Sequence, residues 1–257
     1  MSGADALVGA LIRNGVDTIF GLPGGQTYCI FDAVHRAGSA LRFFNSRHEQ
    51  GSAYMAYGYA RSTGKTGVYC VVPGPGVLNT TAALATAQAG KTPVLCVAGQ
   101  IPSAWIGRGF GFLHEIPDQL GILQRLTKHA GRIDHPADAP RLANAAFRTM
   151  RTGRPGPAAL EMAPDIMELI APVEFPEPDP MPEPLAPDPD RIKEAARILG
   201  RARSPDFSVR SSVSRAGRRT FSLFTASNRS RTATRASAWM PTAGAAMRSI
   251  SVMSMST

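Results

Sequence analysis

Two short stretches of this 257-residue chain hold residues whose types and spacing could do chemistry. The first is Arg47-His48-Glu49-Gln50-Gly51, which runs into an Ala-rich segment. A glutamate there has an ordinary reading as a solvated acid at a helix start, where the helix dipole favours negative charge. Taken alone, the cluster favours that ordinary reading. The second stretch is Val71-Val72-Pro73-Gly74-Pro75-Gly76-Val77-Leu78-Asn79, which reads as a strand, a glycine turn and a helix start. Glycines in such a turn let a ligand approach the backbone closely. Gly74 and Gly76 have the spacing of the first two glycines of a dinucleotide-binding turn. Asn79 stands where the third belongs, however, and Val97-Ala98-Gly99-Gln100 offers no acid to hold a ribose. Cys29, Cys70 and Cys96 are odd in number, far apart and set among apolar residues, a pattern of buried reduced thiols in a cytosolic protein rather than of disulfides or a metal site.

The elements that must position these residues alternate. The apolar spacing predicts a helix over Ala4–Asn14, stopped by Gly15, and a strand at Thr18-Ile19-Phe20 that runs into Gly21-Leu22-Pro23-Gly24-Gly25. A helix through Ile30 and Val34 and a strand at Leu41–Phe44 follow, then a helix over Glu49–Ser62. A strand at Gly67–Val72, a helix at Val77–Gln88 and a strand at Pro93–Ala98 come next, and Ala139–Met150 and Ala158–Met162 close the series as helix and strand. Short, continuously apolar strands between helices belong to an α/β fold, a parallel sheet with helices on both faces. Ligands of such sheets bind beyond the carboxyl ends of the strands, where both glycine turns fall.

Composition divides the chain further. Residues 1–170 form the expected domain and 171–189 a Pro-rich acidic linker. Residues 190–205 open a second domain with a helix from Asp190 to Arg203. Residues 206–257 carry 12 Ser and 6 Thr, with poor periodicity, and such a segment cannot bury enough surface to offset its ordering entropy. Disorder is expected there. The net charge of +9 is equally uneven: residues 1–205 hold 20 Lys/Arg against 18 Asp/Glu, whereas 206–257 hold 8 Arg and one acid, Asp206. No run of about 18 apolar residues marks a membrane span, and the first residues lack the pattern of a secretory signal.

Taken in order, several segments together are more specific than any one. Gly21-Leu22-Pro23-Gly24-Gly25 precedes Arg47-His48-Glu49-Gln50-Gly51-Ser52-Ala53, and Gly58-Tyr59-Ala60-Arg61 and Thr63-Gly64-Lys65 follow. Then come Gly74-Pro75-Gly76 with Asn79, Gly99-Gln100, Thr127-Lys128-His129 and Thr152-Gly153-Arg154-Pro155-Gly156-Pro157. Over residues 1–205 the series resembles the pyrimidine-binding domain of the acetolactate synthase-like family of thiamine diphosphate enzymes. The resemblance implies that Glu49 hydrogen-bonds a pyrimidine nitrogen of thiamine diphosphate, favouring the imino form that removes the thiazolium proton before attack on an α-keto acid. It makes Gly74, Pro75, Gly76 and Asn79 a wall around the pyrimidine, and Gly24 and Gly25 a second backbone approach. Gln100 and Lys128 match substrate-side residues. Acetolactate synthases usually show Phe-Gln-Glu in the loop that here reads Phe112-Leu113-His114-Glu115, with Leu113 and His114 in place of Phe and Gln. His114 is thus either a substrate contact or a plain loop residue, and both a carboligase and a decarboxylase stay open.

The same family holds the cofactor's diphosphate through Mg²⁺ on a separate domain marked by Gly-Asp-Gly and Asn-Asn, and neither sequence occurs in the 257 residues. A flavin (FAD) site is not indicated. The resemblance therefore implies half of a binding site, inactive alone, in a homo-oligomer or beside a separate diphosphate-domain subunit. It stops abruptly after Pro205, where the Arg/Ser/Ala-rich composition begins. An out-of-frame translation of a GC-rich reading frame would look like this, and truncation by a frameshift is the expectation for 206–257. A nucleic-acid-binding protein using the basic tail is the reading from another class; the tail's few aromatics, Phe207, Phe221, Phe224 and Trp239, and the lack of a known module speak against it.

Overall fold

The computed structural model describes residues 1–178, 180 and 186–201, and the backbone of four short strands at 208–213, 219–224, 236–239 and 249–252. The chain divides into two units, and residues 1–182 belong to the first.

The first unit starts with α1 (Gly3–Arg13). Its first turn is capped by the Ser2 hydroxyl, which accepts from the Asp5 backbone N–H at 3.1 Å, and the chain leaves it through Gly15 at φ +80°. In order follow β1 (Thr18–Gly21), α2 (Tyr28–Arg36), β2 (Arg42–Asn45), α3 (Glu49–Thr63), β3 (Gly67–Val71) and α4 (Pro75–Ala89). Then come β4 (Val94–Gly99), α5 (Gln119–Leu126), β5 (His129–Ile133), α6 (Ala139–Arg151), β6 (Ala158–Met162) and the short α7 (Pro164–Glu168). The six strands form one sheet in the order β2-β1-β3-β4-β6-β5, and every pairing in it is parallel.

Alternation along the strands builds two cores. Val68, Cys70, Leu95, Val97 and Leu160 face one way, onto Leu7 and Leu11 of α1, Ile30 of α2 and Phe147 and Met150 of α6. Tyr69, Val71, Cys96, Ala98 and Ala159 face the other way, onto Ala53 and Ala56 of α3, Val77 and Leu84 of α4 and Leu123 of α5. Each fully buried Leu or Ile contributes roughly 1.5–3 kcal/mol relative to exposure. The sheet is thus an α/β parallel sheet covered on both faces, as the apolar runs imply. The path from β1 leads first to β2 on one side and then, through α3, to β3 on the other. That reversal opens a crevice at the carboxyl ends of β1 and β3.

The elements differ from the sequence expectation at three places. β5 and α5 were not legible. β2 lies at the edge of the sheet with all four residues exposed, unlike the continuously buried strands expected of such a sheet. The start of the Pro-rich segment is docked rather than free. Ala171 and Met1 bond each other's backbones in both directions, Phe175 lies 4.8 Å under the Arg13 guanidinium, and Asn144 Nδ2 donates to the carbonyls of Pro176 and Glu177.

The second unit contains α8 (Pro189–Arg201), with an internal Glu194–Arg197 ion pair, where a helix from Asp190 was expected. Beyond it are β7 (Ser208–Val213) paired with β8 (Arg219–Phe224), and β9 (Ala236–Trp239) paired with β10 (Ser249–Val252), both antiparallel. An isolated two-stranded ribbon is only marginally stable in water. The expectations of disorder and of an out-of-frame origin, and the basic tail itself, otherwise fall on residues outside those described. No helix among the described residues is long and apolar enough to cross a membrane.

Candidate functional site

Four connections converge at the carboxyl ends of the strands. The loop after β1 brings Gly24 against Val72, onto whose Cγ1 a Cβ at Gly24 would fall. A Cβ on Gly99, at the end of β4, would lie 2.8 Å from the Gln26 carbonyl and 2.9 Å from Pro73. The loop between β4 and α5 presses the His114 carbonyl onto Gly74, so that a Cβ at Gly74 would overlap it. Gly74 also adopts φ +58° and ψ −114°, a conformation open to glycine and costly to other residues. These glycines are small because protein packs on protein, a different reason from ligand approach. Gly25 alone of the four expected glycines has open space where a Cβ would stand.

Glu49 is the first residue of α3, and the helix is capped by His48, whose Nδ1 accepts from the Gln50 N–H at 3.2 Å. The glutamate is half-buried beside the start of α4. Its Cγ lies 3.7 Å from where a Cβ on Gly76 would be, and its Oε2 accepts from Asn79 Nδ2 at 2.9 Å. Among the described residues Oε1 receives no hydrogen bond. The structure therefore joins Glu49, Gly76 and Asn79, and Gly74 and Pro75 continue the same turn. Glu49 is both a helix-start acid and the acid at the glycine turn, so its two sequence readings do not compete.

His114 has φ +72° and lies in the same cluster. Its Nδ1 is 2.9 Å from Gln26 Oε1, so Nδ1 carries the proton of that bond and a neutral ring keeps Nε2 as an acceptor. Gln26 Nε2 donates in turn to the Leu113 carbonyl at 3.3 Å. The loop around His114 is organised by Glu115, whose carboxylate accepts from the N–H groups of Gly109 and Phe112 at 3.0 and 2.8 Å. Trp105 packs on Phe110 and Phe112 with ring centroids 5.7 and 5.3 Å apart.

Two expected residues are engaged by the protein itself. Gln100 is buried, with Oε1 accepting from the Ile101 N–H at 2.8 Å and Nε2 3.3 Å from Glu161 Oε2, so both ends of its amide are engaged inside the protein. Lys128 precedes β5 at the amino end of the sheet, and its Nζ donates to the carbonyls of Thr149 and Thr152 at 2.5 and 2.8 Å, closing the end of α6. It is not brought together with Glu49.

Beneath the glycine turn lies a buried polar group that sequence reading missed. Glu161 on β6 has no exposed surface, and its Oε1 accepts from Arg132 Nε at 2.7 Å. Gln119 donates to Glu161 Oε2 at 2.8 Å and to the Gly99 carbonyl at 3.0 Å, and its Oε1 accepts from the Gly74 N–H at 2.8 Å. The available signal was a single charge inside the apolar run Ala158-Ala159-Leu160-Glu161-Met162, because a buried acid requires a partner.

The thiols are poor nucleophiles. Burial raises all three above the ordinary range, Cys96 to about 12. Among the described residues no three His, Cys, Asp or Glu side chains are grouped to hold a metal ion.

Comparison with known proteins fits this geometry. Residues 1–122 match the family model described as thiamine pyrophosphate enzyme, N-terminal TPP binding domain. Over 168 residues the chain is 41% identical to the acetolactate synthase of Arthrospira platensis, covering 65% of this chain and 28% of that protein. Over 216 residues it is 36% identical to the probable acetolactate synthase large subunit of Methanocaldococcus jannaschii, covering 80% of this chain and 35% of that protein. The chain thus spans about a third of the length of the relatives it matches.

Proposed function

We propose, from the premise that this chain carries the N-terminal, thiamine pyrophosphate-binding domain of an acetolactate synthase-like enzyme, that Glu49 is the group that holds the pyrimidine ring of thiamine diphosphate. The observation that carries this reading is the placement of a half-buried carboxyl at the Gly74–Gly76 turn, one oxygen fixed by Asn79 and the other without a protein partner among the described residues. That donor set fits the cofactor: a carboxyl can share a proton with a ring nitrogen, and Gly25 and the Gly74–Gly76 turn leave backbone on either side of it. When bound, the cofactor supplies an electron sink for making or breaking a bond at the α-carbon of a keto acid.

The chain's own contribution is placement and proton control. Glu49 holds the ring nitrogen and shares its proton, and Asn79 keeps the carboxyl from rotating away. Gly24 and Gly25 form the facing wall. His114, through its Nε2, is the polar group on the substrate side, where an α-keto carboxylate or carbonyl would lie. Gln100 and Lys128 have no direct part in this reading. The diphosphate and Mg²⁺ are held by residues outside these 257, in the same polypeptide or in a partner subunit, in a cytoplasmic oligomer. A carboligase or a decarboxylase acting on a small α-keto acid is the activity this site would serve.

The test is titration of the full chain with thiamine, which presents the pyrimidine without the diphosphate, followed by amide NMR. Shifts should concentrate at Gly25, Glu49, Gly76 and Asn79, and Glu49→Gln should weaken binding by about tenfold or more, the loss of one hydrogen bond to a charged group. Unchanged binding by Glu49→Ala, or shifts centred elsewhere, would overturn the assignment. The chain with Mg²⁺ and thiamine diphosphate should bind weakly and leave pyruvate unconverted; turnover by the purified chain would show that these residues suffice on their own.

A further inference from the structure

We infer that Gln119 and Glu161 form a buried strap that sets the position of the Gly74–Gly76 turn, which makes them positioning residues for the pyrimidine wall. The binding half of this inference rests on the function proposed above, whereas the positioning half concerns the turn itself.

Glu161 occupies a place where an apolar residue would serve the core. Its strand neighbours are Ala158, Ala159, Leu160 and Met162, and its own surface is fully buried. Replacing a buried ion pair by well-packed apolar side chains is often neutral or stabilising, so a carboxylate here is weak evidence for stability. Its connections give it another use. Arg132, its register partner on β5, has a side chain 27% exposed and neutralises one oxygen from the rim of the sheet. The other oxygen takes Gln119 Nε2 at 2.8 Å and lies 3.3 Å from Gln100 Nε2.

Gln119 is the piece that transmits this anchoring. It is 2% exposed and opens α5 just after Asp118, which has φ +48° and whose side chain accepts from the Gly121 N–H at 3.0 Å. One amide group then joins three strands: β6 through Glu161, β4 through the Gly99 carbonyl, and the end of β3 through the Gly74 N–H. The Gly74 N–H is buried, so without Gln119 it would have no acceptor among its described neighbours. A buried, unpaired backbone donor is costly enough to make the turn rearrange. The turn is also the start of α4: Leu78 N–H donates to the Gly74 carbonyl at 2.9 Å, and Asn79, the next residue, holds Glu49. A shift of Gly74 therefore moves Asn79 and, with it, the Glu49 carboxyl. The carboxylate, with the Gly99 carbonyl, fixes which way the Gln119 amide faces, because both accept only from its NH₂ end and leave the carbonyl end for Gly74.

The experiment uses the full chain and reads amide exchange at Gly74 against Leu95 and Val97 in the sheet core, the unfolding midpoint, and thiamine titration. Gln119→Ala should speed Gly74 exchange by tenfold or more beyond any change at the core amides and weaken thiamine binding by about tenfold. Glu161→Gln, nearly isosteric, should do the same to a smaller extent, because a neutral amide holds the Gln119 NH₂ less firmly than a carboxylate while the Gly99 carbonyl still accepts from it. The pair Gln119→Glu with Glu161→Gln restores a donor facing an acceptor and should recover part of the Gly74 protection that Gln119→Glu alone destroys, a coupling that independent structural losses would not show. Gly74 exchange unchanged in Gln119→Ala, or faster only in step with the core amides, would overturn the inference, as would no recovery in the double variant. Should Gln119→Ala fail to fold, Glu161→Gln and the double variant decide by the same readouts. Should the unaltered chain give no thiamine response, the functional reading falls alone, and Gly74 exchange still decides the strap.

Discussion

The two ends of the six-stranded sheet are built on different principles. At the carboxyl end, the loops after β1, β3 and β4 press on one another through Gly24, Gly74 and Gly99, and a buried acid is tied into the packing by Gln119 and Arg132. At the amino end, one polar cluster meets in water. Asp17 takes Lys65 Nζ at 2.5 Å and the Tyr59 hydroxyl at 2.6 Å, with Arg42 at 4.0 Å, and all three charged side chains are more than a third exposed. The Lys65 contact, then Tyr59, holds the Asp17 carboxyl well below the usual carboxylate range, yet exposed pairs of this kind stabilise little because solvent screens them. The buried Glu161 carboxylate and the strained Gly74 turn lie at the carboxyl end, which also carries the glutamate able to meet a ligand.

Substitutions at matched positions sharpen this contrast, and the largest effect belongs to the turn. Gly74→Ala places a methyl on the His114 carbonyl in a backbone conformation hostile to alanine, and should cost about 3 kcal/mol in urea unfolding. Gly15→Ala, also at positive φ but with nothing within 4 Å, should cost about 1 kcal/mol. Equal losses at the two positions would remove the argument from close packing. Next comes Arg132→Met, which leaves the Glu161 carboxylate buried without its cation and should cost about 3 kcal/mol or somewhat less, given the partial exposure of the arginine. Lys65→Met at the other end should leave the unfolding midpoint nearly where it was.

How much of this contrast was legible in the sequence depends on how local each feature is. Gly67–Val71, Val94–Gly99 and Ala158–Met162 are continuously buried strands and read as apolar runs. β5, His129-Ala-Gly-Arg-Ile, pairs on one side only and is mostly half-exposed, so its residues follow no apolar pattern. α5 is only eight residues long, and although Asp118 caps its start, the cap residue is in a left-handed conformation and the helix is too short to show a clear apolar period. Glu49, Gly74, Gly76 and Asn79 could be grouped because motif order preserves them. The Gln119–Glu161 contact spans 42 residues and depends on β6 lying between β4 and β5, a topological fact that local spacing does not contain. Lys128, grouped with these residues by motif order, lies before β5 at the opposite end of the sheet.

The smallest expected effect is a pH dependence from the amino end. His129 opens β5, and among the described residues its Nε2 is buried without a hydrogen-bond partner. Desolvation holds its pKa below the ordinary 6.5. The unfolded chain therefore takes up the proton more readily, and stability should fall as pH drops below 6.5 until the folded-state value is passed. His129→Asn should flatten that part of a plot of unfolding midpoint against pH. An unaltered slope would assign it to other groups.

Met1 and Ala171 exchange two backbone hydrogen bonds, and Ser2 bridges Ile170. Residue 1 and residue 171 of the first unit are thus direct neighbours, and the covalent path between them is nearly a closed ring. For a ring the choice of where the polypeptide opens is largely free. A short glycine-serine connection across this clasp, with new termini cut at the exposed Gly64-Lys65 turn, should yield a permuted domain with the same sheet, because the added segment bridges a gap that the native backbone already closes.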